Sequence, residues 1–297
     1  MEIIAGNDLK TSEQASYDVV IVGSGPAGAT CAKRIAAQGA SVAVVEEGAY
    51  FTPKEVPEDA FTAMATLYRE MGASLLLGNI PMPYVQGKAV GGSSLINGAI
   101  SWRLPKDIYD GWCQKDPAIQ ENISWEQLDV LFDQIEQELN IHPTPKEISG
   151  PNNLLLAKGA DLLGLEHRPI NRYVKGCTGL GRCMQGCPEG NKLSMDQSYL
   201  PEASRDGAKI YSEVKVDTLI QQGKTITGIA GNASGGGRLT LHAKRAVILA
   251  ASAVQTPVLL INNRIRQGPV GQFFQCHPGA SMAGRFSEEV RLWTGAT

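Results

Sequence analysis

The chain has 297 residues, 43% of them apolar and 19% charged, with a formal net charge of −3. That balance suits one large soluble domain or two modest ones, and it offers no basic field to nucleic acid or to an anionic membrane surface. The longest apolar stretch, 246–261, is broken by Gln255-Thr256-Pro257, so no run has the length of a transmembrane segment, and six cysteines are too few for a disulfide scaffold.

Residues 1–16 read as a polar, loosely held leader. The opening MEIIAGNDLK lacks the positive start and apolar core of a secretory signal, so the chain itself reads as cytoplasmic, with export alongside a partner left open. Residues 17–22 (YDVVIV) are an apolar, β-branched run of the kind that forms a strand buried on both faces. The run breaks at Gly23-Ser24-Gly25-Pro26-Ala27-Gly28. An alanine-rich helix follows to about residue 38, Gly39 stops it, and 41–45 form a second apolar strand that ends on Glu46.

Strand, glycine turn, helix, strand and acid in this order make the fingerprint of a dinucleotide-binding βαβ unit. Gly23 allows a sharp turn off the strand, Gly25 leaves room for a pyrophosphate at the backbone, and Gly28 lets the helix pack closely. The helix N-terminus offers unpaired N–H groups and a positive dipole end to phosphate. Glu46, eighteen residues after Gly28, is placed to accept from a ribose hydroxyl. A carboxylate there repels a 2′-phosphate, which favours FAD or NAD over NADP.

Between 49 and 84, four prolines surround one helix near 58–71. This excursion reads either as a lid over the nucleotide site or as an ordinary surface loop. Then comes KAVGGSSLINGAI (88–100), whose small residues let backbone approach a flat ligand while Ser and Asn supply hydrogen bonds. The competing reading is a tight turn before a core segment.

GGSSLIN, followed by Gly98, Arg103, Asp107, Gly111 and Trp112, resembles the first signature of the glucose–methanol–choline (GMC) oxidoreductases, FAD enzymes that oxidise alcohols and sugars. The resemblance implies an α/β fold, a Rossmann-like FAD-binding domain of GMC type with part of an inserted substrate domain. It places the FAD core at 17–48, 85–112 and 205–282, with cap or substrate-domain elements at 49–84 and 113–204. It implies Gly91, Gly92, Ser93, Asn97 and Gly98 as cofactor contacts, with Ile100 near the flavin ring.

Residues 124–139 form an amphipathic helix, with Ser124 as N-cap, Gln127 completing a capping box, and Pro143 and Pro145 forbidding continuation. A second helix spans 152–163. Both read as scaffold. Next, Cys177, Cys183 and Cys187 stand in a glycine-rich loop with gaps of five and three residues, ending Cys187-Pro188. Thiolates on flexible backbone can ligate a soft metal, and three of them suit a [3Fe–4S] cluster better than zinc, which wants a fourth ligand. The competing reading is a set of buried, redox-inactive thiols. The spacing is similar to that of the GMC branch of multisubunit sugar dehydrogenases with an iron–sulfur centre, and GNKLSMDQSYLPEA (190–203) resembles the branch containing long-chain alcohol oxidases.

From 208 onward the chain is β-rich. Strands at 209–220 and 225–230 flank a Gln222-Gly223-Lys224 turn, a third lies at 238–243, and 246–251 (AVILAA) is fully apolar. In the GMC comparison Val216 maps to the adenine contact. The run 246–260 resembles the second GMC signature, with Ala251 and Ser252 under the cofactor. His277 falls in a segment that the family runs near the pyrophosphate, and a structural role suits it better than a catalytic one.

The family's catalytic His and its His or Asn partner come from a C-terminal segment, so no residue here takes the proton-accepting role. The resemblance therefore implies either a piece of a longer reading frame or completion by a second polypeptide, such as an electron-acceptor subunit. On that reading strands such as 246–251 lack a neighbour, and marginal stability with weak FAD retention is expected. The expected reaction is oxidation of an alcohol or sugar hydroxyl by hydride transfer to flavin N5. The rival readings are an NAD-dependent Rossmann enzyme and a non-catalytic cofactor-binding chain.

Overall fold

Runs of β-branched residues at 19–22 and 42–45 cannot satisfy their backbone on a half-exposed surface without wasting apolar area, and both lie fully inside a sheet. The computed structural model describes residues 1–276, 279 and 283–296. The chain divides into two units. Met1–Asn97, Met184–Glu189 and Ser194–Arg285 form the first, and Gly98–Cys183, Gly190–Leu193 and Phe286–Thr297 form the second.

The chain opens in the first unit with β1 (Ile3–Ala5), β2 (Glu13–Val22), α1 (Pro26–Ala36), β3 (Val42–Val45), α2 (Ala60–Leu67), β4 (Ser74–Leu76) and β5 (Met82–Tyr84). It passes through the second unit as α3 (Lys106–Lys115), α4 (Ala118–Asn122), α5 (Trp125–Glu138), β6 (Ile141–Pro143), α6 (Pro151–Leu162) and β7 (Asn171–Tyr173). It then completes the first with α7 (Tyr199–Arg205), β8 (Lys209–Ser212), β9 (Val214–Gln222), β10 (Thr225–Ala233), β11 (Arg238–Leu249) and α8 (Ser252–Asn262).

The first unit is built on a seven-stranded sheet of order β1-β8-β3-β2-β11-β10-β9. Its first five strands run parallel, and β10 and β9 continue it as an antiparallel edge. This is the α/β, Rossmann-like arrangement expected. The core cluster draws Val20, Val22, Ala43, Val45, Leu219, Ile229 and Leu241 from across the sheet.

Three expectations are corrected. Residues 1–16 are no loose leader: Ile3–Ala5 pairs with Ile210, Tyr211 and Ser212, Leu9 is buried in the core, and Glu13 already belongs to β2. The 209–220 run is two strands, because Glu213 takes a left-handed φ of 55°. That break sends β8 between β1 and β3 while β9 forms the far edge. Finally, the 246–251 segment does not lack neighbours: Ala246–Leu249 pairs in parallel with Val19–Val22, and β11 also pairs with β10. The loss of stability expected from an orphan strand has no basis in this sheet.

Within the second unit, α5 carries the capping box, with Ser124 Oγ accepting from Gln127 N and Gln127 Oε1 accepting from Ser124 N. Arg103 donates to Asp129, Asp133 and Glu136 along that helix. No helix among the described residues is long and apolar enough to cross a membrane.

Because Leu9 is 4% exposed and packed into the main core, Leu9→Ala should cost about 2–5 kcal/mol. A denaturant midpoint measures this; an unchanged midpoint would mean that the first residues are not part of the fold.

Candidate cofactor site

At the C-terminal ends of the parallel strands, the first unit holds a cavity of about 880 Å³. This is where an open α/β sheet leaves a crevice, because loops diverge to opposite faces. The β2–α1 turn contributes Gly23, Gly25, Pro26 and Ala27, and the end of β3 contributes Val45, Glu46 and Glu47. Arg69, Gln86, Gly87, Gly92 and Ser93 form another wall, and Lys215, Val216 and Asp217 of β9 a third. The β11–α8 turn, Ala250–Ala253, closes the ring.

Two helix N-termini open into this space. Gly25 is the N-cap of α1 and supplies no side-chain acceptor, and Pro26 occupies the first helical position without an N–H. The N–H groups of Ala27 and Gly28 are thus left for an anion. A Cβ on Gly25 would meet nothing nearer than Gly92 Cα at 4.0 Å, so the space above it is open. Gly28 is the opposite case. A Cβ there would stand 1.9 Å from Gly23 O and 3.3 Å from Ile21 Cγ2, so its role is close packing of α1 on β2.

At the second terminus, Ser252 has a left-handed φ of 80°, a strained conformation for a residue with a Cβ. Its Oγ accepts from the backbone N–H groups of Val254 and Gln255 at 3.3 and 3.2 Å. The hydroxyl thus satisfies two of the orphan donors at the start of α8.

Glu46 is buried, and its carboxylate is largely engaged. Oε2 accepts from Ser24 N at 3.0 Å and Ser24 Oγ at 2.7 Å, and Oε1 accepts from Gly48 N at 3.0 Å. Burial pushes its pKa above the usual carboxylate range, against the pull of the Gly48 and Ser24 hydrogen bonds. A carboxylate has about four lone-pair sites, so Oε1 keeps capacity for a ribose hydroxyl. Ser24, itself 0% exposed, also accepts from Gly91 N at 3.0 Å. One serine therefore ties the glycine turn to the end of β3 and to the GGSS loop.

Glu47, its neighbour, faces three cations. Arg69 donates to it at 2.7 Å, with Lys88 at 3.7 Å and Lys215 at 4.0 Å. Burial alone would raise its pKa, but these partners, Arg69 first, hold it below the ordinary value. Arg69 Nε also donates to Gln86 Oε1 at 3.2 Å, and Gln86 Nε2 donates to Ser252 Oγ at 2.8 Å. The 49–84 excursion is therefore tied to the cavity wall through Arg69, and Gln86, just past it, carries the tie on to Ser252.

Of the residues expected at the site, Gly23, Gly25, Glu46, Gly92, Ser93, Val216 and Ala251 line the cavity. Gly28 and Gly91 lie directly behind it. Asn97 is exposed in the first unit, whereas Gly98 and Ile100 belong to the second unit. His277 falls outside the described residues. Sequence reasoning missed Ser24, Glu47, Arg69 and Gln86. A small polar residue inside the glycine turn was a signal for Ser24; nothing local marks Arg69, whose partner lies twenty-two positions away.

The metal set expected from the sequence is Cys177, Cys183 and Cys187. No group of three or more His, Cys, Asp or Glu side chains among the described residues is placed to hold a metal ion. Cys183 Sγ accepts from Arg172 Nη2 at 2.9 Å and Cys177 Sγ from Nη1 at 3.7 Å, so both sulfurs face a buried cation. Cys187 falls in the other unit.

The pattern of the GMC oxidoreductase family matches residues 17–279. An uncharacterized GMC-type oxidoreductase of Mycobacterium tuberculosis is 34% identical over 283 residues, covering 94% of this chain and 44% of the relative. A long-chain-alcohol oxidase of Arabidopsis thaliana is 26% identical over 98% of this chain and 40% of its own length. The chain thus spans less than half of each of these two relatives. Among solved structures, a formate oxidase of Aspergillus oryzae RIB40 aligns with a TM-score of 0.59 at 21% identity, over 84% of this chain and 48% of that one. At this identity the likeness bears on the fold. With the βαβ unit, the GGSS loop and the late strand–helix turn gathered round one cavity, and a family match across most of its length, this chain belongs to the GMC oxidoreductases.

Proposed function

We propose that the chain supplies the FAD-binding part of an oxidoreductase that acts on CH–OH groups, taking an alcohol or sugar as substrate. The observation that carries this reading is the open cradle over Gly25 at an uncapped helix N-terminus, inside a cavity of about 880 Å³. A pyrophosphate fits there because backbone N–H groups and the helix dipole converge on it. Glu46, through Oε1, suits the adenosine ribose, and the Lys215–Asp217 strand suits the adenine. Ser252 and the start of α8 lie on the flavin side of this reading.

FAD held in this cavity would supply a two-electron acceptor for the hydride of a carbinol carbon. The residues of this chain bind and orient. Ser24 and Glu46 hold the turn that receives the phosphates, and the Arg69–Glu47 and Gln86–Ser252 contacts keep the 49–91 segment against the cavity and exclude water. No residue lining the cavity is assigned the proton-accepting role. The name of the plant relative favours an aliphatic alcohol over a sugar as the first substrate class to test.

Titration of FAD into the purified chain should give saturable quenching of flavin fluorescence, whereas a colourless protein that instead binds NADH saturably would overturn the reading. Gly25→Val should weaken FAD binding by at least about tenfold, equivalent to ~1.4 kcal/mol. Its apo melting temperature should hold, because the site above Gly25 is empty space. Gly28→Val is the control that should lose the fold itself. Ser24→Ala should cost about 1–3 kcal/mol of stability, since it strips a donor from buried Glu46 and leaves the Gly91 N–H without its acceptor. Chemical denaturation of the apo chain checks that figure.

A further inference from the structure

The cysteine loop has no part in the cofactor site, yet it is built around a charge. Arg172 is 0% exposed, and its guanidinium donates to Gly98 O at 3.3 Å and to the two sulfurs. Lys192, 1% exposed, donates from Nζ to the Cys183 carbonyl at 2.7 Å. Asn191 Nδ2 donates to Gly176 O at 2.8 Å, and Lys175 N to Asn191 O at 2.8 Å, so both ends of the loop are pinned to one neighbouring segment. Between the cysteines the backbone winds through Gly179 and Gly181 at φ of 78° and 70°. Through these left-handed turns Cys177 and Cys183, with five residues between them, present their sulfurs to the one guanidinium. Both thiols remain partly exposed, so a small oxidant can reach them.

We propose that Cys177 and Cys183 are a reversible dithiol–disulfide pair, with Arg172 as its positioning residue and hydrogen peroxide as its oxidant. Cys183 carries the shorter N–H···S contact, at 2.9 Å, and it is the attacking thiol. Its sulfur displaces water from the peroxide: the S–O bond forms as the O–O bond breaks, leaving Cys183 as a sulfenic acid. The Cys177 sulfur then attacks that sulfur, the S–S bond forms, the S–O bond breaks, and a second water leaves with the Cys177 proton. In total the two sulfurs lose two electrons and the peroxide gains them. A thiol reductant reverses the bond. The proposal does not depend on the cofactor assignment.

Trypsin cuts after Lys175, Arg182 and Lys192, so Cys177 and Cys183 fall in different peptides, the latter together with Cys187. The full chain, reduced, desalted and treated with one equivalent of hydrogen peroxide, should yield peptides 176–182 and 183–192 joined by a bond that dithiothreitol cleaves. The link should persist in Cys187→Ser and vanish in Cys177→Ser and Cys183→Ser. A bond confined to 183–192, two thiols that both remain alkylatable after peroxide, or purified protein carrying iron with acid-labile sulfide would each overturn the pair. Arg172→Met should slow bond formation by about tenfold, the loss of one charge-assisted contact, and Arg172→Lys should recover part of that rate. A Met variant that folds with an unchanged rate and pH profile would remove Arg172 from the role. If neither Arg172 variant folds, the serine variants decide the pair alone.

Discussion

The cofactor cavity depends on a buried carboxylate. Taking Glu46 out of water costs several kcal/mol, and Ser24 and Gly48 offset part of that cost by presenting three donors to it. Those donors come from the glycine turn and from the chain just past β3, and Ser24 adds the GGSS loop by accepting from Gly91. Three segments that must each stay glycine-rich and open toward a ligand thereby obtain a shared anchor on the side away from it. A loop that is wide open on one face can be rigid only if its other face is bonded this way. The raised pKa of Glu46 is the visible trace of that arrangement, with burial outweighing three favourable hydrogen bonds.

The second wall works by a different balance. Glu47 and Arg69 are partly exposed, and each gains from a charge-assisted bond at modest desolvation. Gln86 joins Arg69 to Ser252, so the strap ends on the residue whose strained backbone opens α8. Strain at Ser252 is sustained because its hydroxyl serves both the helix start and the strap. The 49–84 excursion thus does more than a surface loop would, although its proline-rich sequence fits either description.

How much of this was legible in the chain follows from sequence distance. Residues 17–48 declare themselves because strand, turn, helix and acid are contiguous, and each residue's local preference agrees with its place. Residues 3–5 do not, because their partners, Ile210 to Ser212, lie about two hundred positions away and a three-residue strand has no periodicity to detect. The split at Glu213 was hidden for a related reason. Lys209–Gln222 is uniformly strand-like, and only the tertiary demand for β8 and β9 in different places forces the one positive φ. The orphan strand expected at 246–251 rests on the C-terminal half that the family comparison leaves out. In the sheet Ala246–Leu249 pairs instead with Val19–Val22, inside the strand legible at 17–22, and β2 extends back to Glu13 to pair with the rest of β11.

The cysteine loop shows the limit of spacing as a guide to chemistry. Gaps of five and three residues in glycine-rich sequence are compatible with metal ligation, with inert thiols and with a redox pair, because spacing fixes how near the Cα atoms can come and not where the sulfurs point. What the fold adds is a single arginine five positions before Cys177, unremarkable in the sequence and fully buried beside the two sulfurs. A buried guanidinium demands acceptors, and two of the three it has are sulfur. Its Nη1 and Nη2 groups donate to the two sulfurs at 3.7 and 2.9 Å, so both are held against one cation. Two sulfurs held on one buried cation are the geometry on which the proposed redox pair rests, and in that pair two electrons leave the sulfurs for the peroxide.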